Sequence, residues 1–278
     1  MLVFGPVPSR RLGRSIGINN IPPKICTYSC VYCQVGRTTE MSTVRSQFYE
    51  PEAILNEVRK KLQQCNAASA QIDYLTIVPD GEPTLDINLE ELLKILHNLG
   101  LSIAVISNSS LIWDPEVRHA LQVADWVSLK VDSVIERTWR KIDRPHGKLS
   151  LSRILEGVQT FAEEYEGKLV TETMLVRNLN DRPEELHAIG EFLEHLKPEC
   201  AYISVPTRPP AERRVCAPSE DSINMAYNIL IEHLDNVEYL IDYEGDEFTP
   251  TDDVESDLLG ILSVHPMRET AVLKFLSE

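Results

Sequence analysis

The 278-residue sequence predicts an α/β chain folded as a partial (β/α)6 barrel with a small helical C-terminal extension. Three observations predict it. Six apolar, β-branched runs alternate with six helical patterns, an order that calls for a parallel sheet with right-handed crossovers. No GxGxxG turn follows the first strand, which sets aside the doubly wound dinucleotide-binding alternative. Polar residues recur at the carboxyl end of nearly every strand, where the loops of a curled parallel sheet converge.

The elements follow in order. Arg14 to Asn19 reads as the first strand, ending before Pro22-Pro23. A helix opens at Pro51, a favoured first-turn position for proline, with Ile54, Leu55, Val58 and Leu62 at helical spacing. Ile72 to Val78 is the second strand. Leu89, Leu92, Leu93, Leu96 and Leu99 mark a helix that Gly100 stops. Strands are then predicted over 101–107, 126–131, 168–175 and 201–205, and helices over 115–121, 151–165, 183–196 and 219–234. The barrel is expected to span residues 1–235 and the acidic helical extension 236–278.

Composition narrows the class. Hydrophobic residues make up 43% and charged residues 25%, ordinary for a globular protein. No apolar run nears the roughly 20 residues that a membrane helix needs, and Met1-Leu2-Val3-Phe4-Gly5-Pro6 lacks a charged start before an apolar core. A cytoplasmic protein with no membrane partner is the expectation. The net charge of −16 weighs against a large nucleic-acid footprint, since such binding draws on phosphate neutralisation by Lys and Arg. Local basic groups persist at Arg10, Arg11, Arg14, Lys24, Arg37 and Arg45, and again at Arg208, Arg213 and Arg214. They allow either a solvated surface or a positive mouth for an anionic substrate.

Chemistry concentrates in Lys24-Ile25-Cys26-Thr27-Tyr28-Ser29-Cys30-Val31-Tyr32-Cys33. Three thiols four and three residues apart can converge on one soft-metal centre if the chain loops. A structural zinc site wants a fourth ligand, usually from a second short pair, and none follows at such spacing. A cluster with one open corner and a mis-spaced zinc knuckle both remain open. After the second strand comes Asp80-Gly81-Glu82-Pro83-Thr84, where a glycine permits close backbone approach and a carboxylate or carbonyl can accept from an ammonium.

The CxxxCxΦC pattern, with Tyr32 before the last cysteine, resembles the signature of the radical S-adenosylmethionine (radical SAM) superfamily, and Gly81-Glu82-Pro83 resembles its GGEP motif, with Asp80 where the first glycine usually stands. The resemblance runs over about residues 15 to 235 and implies a TIM-like partial barrel. It implies that Cys26, Cys30 and Cys33 hold a four-iron, four-sulfur cluster whose fourth iron chelates S-adenosylmethionine. It further implies cofactor contacts from Tyr32, Gly81, Glu82, Pro83, Asn108, Lys130, Asp132 and Val205. The implied reaction is reductive cleavage of S-adenosylmethionine to a 5′-deoxyadenosyl radical that takes hydrogen from a substrate, with a reductant such as flavodoxin or ferredoxin as partner. Phe4 to Gly13, Cys33 to Thr39 and Thr207-Arg208-Pro209-Pro210 look like a subgroup similar to wyosine-type tRNA synthetases. Charge favours a small molecule or protein side chain as substrate over tRNA, and a non-catalytic zinc- or cluster-binding interaction protein is the alternative class.

Cys65, Cys200 and Cys216 show no ligand spacing. Cys65 reads as a small, semi-buried helix residue, while Cys200 and Cys216 flank the proline-rich loop, where ordinary packing is the expectation and entry into the substrate site the alternative. In the tail, Val254, Leu258, Leu259, Ile261 and Leu262 form one helical stripe and Ala271, Val272, Phe275 and Leu276 a second, with His265-Pro266 as the break. From Asp235 onward twelve acidic residues face only Arg268 and Lys274, so phosphate would be repelled and core packing or a protein contact is expected.

Overall fold

The structure is a computed structural model that describes residues 1–241, 248, 254–264 and 267–277. The chain begins with an antiparallel hairpin, β1 (Val3–Ser9) and β2 (Gly13–Ile18). A small parallel pair, β3 (Ile25–Cys26) and β4 (Glu40–Met41), frames the cysteine loop. There follow α1 (Pro51–Ala67), β5 (Tyr74–Ile77), α2 (Leu89–His97), β6 (Ser102–Ser107), α3 (Pro115–Leu121), β7 (Trp126–Lys130), α4 (Glu136–Ile142) and α5 (Leu151–Glu164). Then come β8 (Lys168–Met174), α6 (Pro183–Leu196), β9 (Cys200–Ser204), α7 (Glu220–Leu230), β10 (Val237–Leu240), α8 (Val254–Val264) and α9 (Glu269–Ser277).

One eight-stranded sheet runs β1-β2-β5-β6-β7-β8-β9-β10, parallel from β2 onward. Laid flat, its outer strands would stand roughly 33 Å apart at the usual strand spacing. Yet Arg10, in the turn after β1, donates from Nη1 to the Tyr239 carbonyl of β10 at 3.1 Å. The sheet is therefore curled, an incomplete barrel in the TIM-like manner.

Each strand has two faces. Ile16, Ile18, Leu75, Ile77, Ile103, Val105, Val127, Leu129, Leu169 and Ile203 point outward and pack with the apolar stripes of the helices in one core. The alternate residues enter the lumen, where Leu12, Ala104, Trp126, Val170, Cys200 and Tyr202 close a second, smaller cluster at the floor. Above that floor the inward residues turn polar: Ser15, Thr76, Ser128, Lys130, Glu172 and Ser204. Burial of the outer face holds the barrel together, and the lumen is left for chemistry.

All six predicted strand-helix units are present. Five elements were not expected, among them the two-residue strands β3 and β4, which are too short to show alternation. Pro6 and Pro8 argue against a strand, but β1 is an edge strand with a bulge between Phe4 and Val7, where missing amide hydrogens are tolerated. Helix α4 has seven residues, as α3 has, but lacks the capping aspartate and first-turn proline that mark α3 at Asp114-Pro115; it starts after Ile135 with no side-chain cap. Strand β10 extends the sheet past residue 235 by pairing with β9. In the tail, Phe248, Ile261, Ala271 and Phe275 form a small core against Val7 of β1, and the buried Lys61 of α1 pairs with Asp257 of α8. His265 and Pro266 lie outside the described residues.

Candidate active site

The cysteine stretch is stitched down on both sides. On one side the turn after β5 meets it: Lys24 N donates to the Asp80 carbonyl at 2.6 Å and Glu82 N to the Ile25 carbonyl at 3.2 Å. Gly81 is required there, since a Cβ would stand 2.1 Å from the Ile25 carbonyl oxygen. On the other side Ser29 N donates to the Asp143 carbonyl at 3.0 Å and Val31 N to the Ile142 carbonyl at 2.8 Å, both at the end of α4. Two clamps thus fix a loop that has little regular structure of its own.

Glu82 is fully buried and saturated within the protein. Its Oε1 accepts from Thr84 N at 3.1 Å, Thr84 Oγ1 at 2.6 Å and Ser107 Oγ at 2.8 Å, and its Oε2 accepts from Asn108 N at 2.7 Å. Burial raises its pKa, and these four donors oppose the rise. The side chain locks the turn after β5 to the turn after β6, so what faces outward at this motif is backbone. Pro83 is buried in the same turn, its carbonyl accepting from Asn20 Nδ2 at 3.0 Å.

Asn108, positioned through Glu82, donates from Nδ2 to Cys26 Sγ at 3.4 Å and to Thr27 Oγ1 at 2.9 Å. Cys30 donates to Asp143 Oδ1 at 3.4 Å. All three cysteines of the loop are free thiols and partly exposed. Their pKa values are raised: Cys26 to about 12 by burial and then Glu82, Cys30 by burial and then Asp143, and Cys33 chiefly by burial. The protein alone disfavours thiolates here, and a strongly cationic group is what would stabilise them. Among the described residues no three Cys, His, Asp or Glu side chains close around a single ion. Three sulfur donors on one clamped loop are the soft donor set that zinc or an iron-sulfur centre takes.

Behind the loop lies a charge network. Tyr32 donates its hydroxyl to Asp132, whose Oδ1 also accepts from Met174 N at 2.7 Å. Lys130 sits 5.0 Å from the Tyr32 ring centre and donates to Glu172 Oε1 at 3.1 Å. Glu172 also accepts from Ser204 Oγ and from Arg11 Nη1, each at 2.9 Å. Burial works against charge on Lys130, but Asp132 and Glu172 outweigh it and raise its pKa. Burial likewise works against the Glu172 carboxylate, and Lys130 and Arg11 outweigh it, holding the carboxyl down at about 2. Asp143, beside Asp132, is pushed well above the carboxylate range by burial and then by that neighbour. Asn180 braces the carboxyl ends of β7 and β8, donating to the carbonyls of Asp132 at 2.8 Å and Met174 at 2.9 Å.

The lumen opens into a cavity of about 800 Å³. Arg10 and Arg11 border it at one edge, Thr207 and Arg208 at the other, and Asp80, Glu172 and Val205 lie on its wall. A void of about 20 Å³ beside Tyr32, Asn108, Lys130 and Asp132 has room for about one water. The expected site residues therefore divide. Cys26, Cys30, Cys33, Gly81, Asn108 and Tyr32 meet around the loop, Val205 stands across the cavity, and Glu82, Pro83 and Asp132 are turned into the protein. Glu172, Asp143 and Asn180 belong to the site and were not among the expected residues, while Arg11, expected only as part of a basic mouth, is paired with Glu172. Cys65 is buried on α1, Cys200 faces the lumen floor, and Cys216 is exposed on the loop after β9.

The comparisons agree with this geometry. The family model described as the radical SAM superfamily matches residues 20–190. A UPF0026 protein of Methanocaldococcus jannaschii is 46% identical over 100% of this chain and 86% of its own length. The mouse S-adenosyl-L-methionine-dependent tRNA 4-demethylwyosine synthase TYW1 is 24% identical over 64% of this chain and 26% of its own. Among solved structures, TYW1 with a lysine-pyruvate adduct bound superposes with a TM-score of 0.61 at 19% identity, covering 81% of this chain and 76% of that one. A radical SAM methyltransferase from Sphaerobacter thermophilus superposes at 0.59 and 15% identity, over 82% and 66%. Those two likenesses show the shared fold. With a family model matched over more than half of its length, this chain belongs to the radical SAM superfamily.

Proposed function

We propose that the chain is a radical SAM enzyme whose Cys26, Cys30 and Cys33 hold a four-iron, four-sulfur cluster, and that it acts on a small molecule or a protruding side chain. The carrying observation is the clamped loop: three free thiols between the Gly81-Glu82 turn and Asp143, beside a cavity of about 800 Å³. When bound, the cluster and S-adenosylmethionine supply one-electron cleavage of a carbon-sulfur bond and a 5′-deoxyadenosyl radical that removes substrate hydrogen. The residues do the rest. Glu82 holds the β5 turn in place, and the backbone of that turn would hold the cofactor's ammonium. Asn108 donates toward Cys26, and the Arg11–Glu172–Lys130 network keeps the lumen wall rigid and locally balanced in charge. The β1–β2 hairpin and the loop after β9 narrow the mouth, limiting water.

A second reading, modification of a base in tRNA, is supported by the likeness to the wyosine synthases. The overall charge of −16 favours the first. Anaerobic reconstitution with iron and sulfide tests the proposal. It expects an iron-sulfur signal in electron paramagnetic resonance that changes when S-adenosylmethionine is added. Tight zinc binding with no affinity for S-adenosylmethionine would overturn it and leave a metal-stabilised interaction protein.

A further inference from the structure

Two polar atoms in the barrel lumen are enclosed by protein and have no hydrogen-bond partner: Arg11 Nε and Ser128 Oγ. Buried donors and hydroxyls are almost always satisfied in folded chains, so an orphan calls for an explanation, and a ligand is one. The Arg11 guanidinium makes one hydrogen bond among the described residues, from Nη1 to Glu172 Oε2 at 2.9 Å. Its Nε–Nη2 edge is unused. The side chain is mostly buried and lines the cavity of about 800 Å³.

The two orphans belong to one place. Along β7 the inward residues are Trp126, Ser128 and Lys130. The Arg11 guanidinium carbon stands 5.7 Å from the ring centre of Trp126 and 5.7 Å from that of Tyr202, at the floor of the lumen. From there Nη1 reaches Glu172, whose other oxygen takes Lys130 at 3.1 Å. Arg11 thus touches the residue before Ser128 on that face and the ion-pair partner of the residue after it, and Ser128 lies between. Across the sheet Ser128 is in register with Ile106 of β6, which lines the cavity. An unused guanidinium edge and an unused hydroxyl therefore lie together at the bottom of the cavity, walled by Trp126, Tyr202 and Ile106.

We infer that Arg11 and Ser128 form a carboxylate subsite that anchors the far end of the substrate, a small organic acid whose reacting hydrogen is directed up toward the cysteine loop; the inference rests on the proposed radical SAM reading for what happens at that upper end. The edge of a guanidinium offers two parallel N–H donors that match the two oxygens of a carboxylate, and the Ser128 hydroxyl adds a third bond. Nε and Ser128 Oγ are closed to solvent, so the carboxylate reaches them by a swing of the guanidinium about its tether to Glu172. Charge selects the anion. Arg11 and Lys130 face Glu172 and Asp132, two cations against two carboxylates. A carboxylate adds one negative charge, whereas a phosphate monoester adds close to two and sets the second against Glu172. The flanking rings suit an apolar stem beside the carboxylate. A guanine base has no carboxylate, so the subsite also favours the small-molecule reading over base modification.

The test uses the reconstituted holoprotein and three probes, 4-fluorobenzoate, 4-fluorobenzamide and 4-fluorophenyl phosphate, with binding followed by fluorine magnetic resonance. Wild type should bind the benzoate about tenfold or more tightly than the amide or the phosphate, and Arg11→Gln should lower that affinity about tenfold or more. Since Arg11→Gln also takes a cation from Glu172, the double variant Arg11→Gln/Glu172→Gln removes both charges together and should fold without binding the benzoate. Ser128→Ala separates a ligand contact from a structural one. It should weaken benzoate binding about threefold or more while apoprotein stability holds or rises, because an unsatisfied buried hydroxyl is removed. No saturable benzoate binding, equal affinity for the amide, tighter binding of the phosphate, wild-type affinity in either Arg11 variant, or a clear loss of stability in Ser128→Ala would overturn the subsite. A full iron-sulfur signal beside any of those results leaves the radical SAM reading standing. Selective benzoate binding by a chain that takes up no iron would instead sink that reading and leave the subsite.

Discussion

The side-chain amide of Asn108 lies 3.4 Å from Cys26 Sγ, and its backbone amide is held at 2.7 Å by Glu82 Oε2. One residue therefore links the Gly-Glu-Pro turn to the first thiol. Hydrogen bonds to cluster sulfurs favour the reduced, more negative state. Asn108→Ala should shift the midpoint potential of the reconstituted protein downward by about 40–60 mV, the equivalent of roughly 1–1.4 kcal/mol. A redox titration followed by electron paramagnetic resonance checks this, and an unchanged potential would remove Asn108 from the tuning role.

Glu82 is the pin of the same turn. Glu82→Ala strands two buried amides and two buried hydroxyls, and should cost about 2–4 kcal/mol in denaturant unfolding of the apoprotein. Gly81→Ala should leave global stability less affected but displace the loop by forcing Ile25 aside. Iron incorporation, measured per chain after reconstitution, should drop sharply in it.

Glu172 makes stability depend on acid. Its carboxyl titrates at about 2 in the folded chain, below its ordinary value. Its contribution is thus fully present above the ordinary glutamate range of about 4.3 and is lost as pH falls toward 2, amounting to on the order of 3 kcal/mol. Glu172→Gln should lower apoprotein stability at neutral pH by a similar order and flatten its decline between those limits. A decline as steep as that of wild type would contradict the assignment.

Lys61 and Asp257 join α1 to the C-terminal helices, with side-chain exposures of 10% and 5%. Removing one partner leaves a buried charge. Asp257→Ala should cost about 3–5 kcal/mol locally and make α8 and α9 the first segments cut in limited proteolysis.

Legibility in the sequence followed distance along the chain. The cysteine loop and the Gly-Glu-Pro turn are local patterns, and both were readable with their neighbours at the strand ends. Strands β2 and β5 through β9 were visible because their outward residues are apolar. Arg11 and Glu172 are 161 residues apart, and in a sequence a strand glutamate among threonines looks solvent-facing; only the curl of the sheet turns it inward. Asp143 is not legible because it caps α4, a seven-residue helix without the Asp-Pro start that marks the equally short α3. Pro6 and Pro8 hid β1, since the tolerance of an edge strand depends on its place in the sheet. Lys130 and Asp132 were found by position, but their task as partners of Glu172 and Tyr32 was not.

The most direct test of the central claim is anaerobic 5′-deoxyadenosine formation from S-adenosylmethionine and dithionite across six single Cys→Ala variants. The account predicts product from wild type and from the Cys65, Cys200 and Cys216 variants, and none from the Cys26, Cys30 and Cys33 variants. Product from any of those last three, or none from wild type carrying a full complement of iron and sulfide, would contradict it.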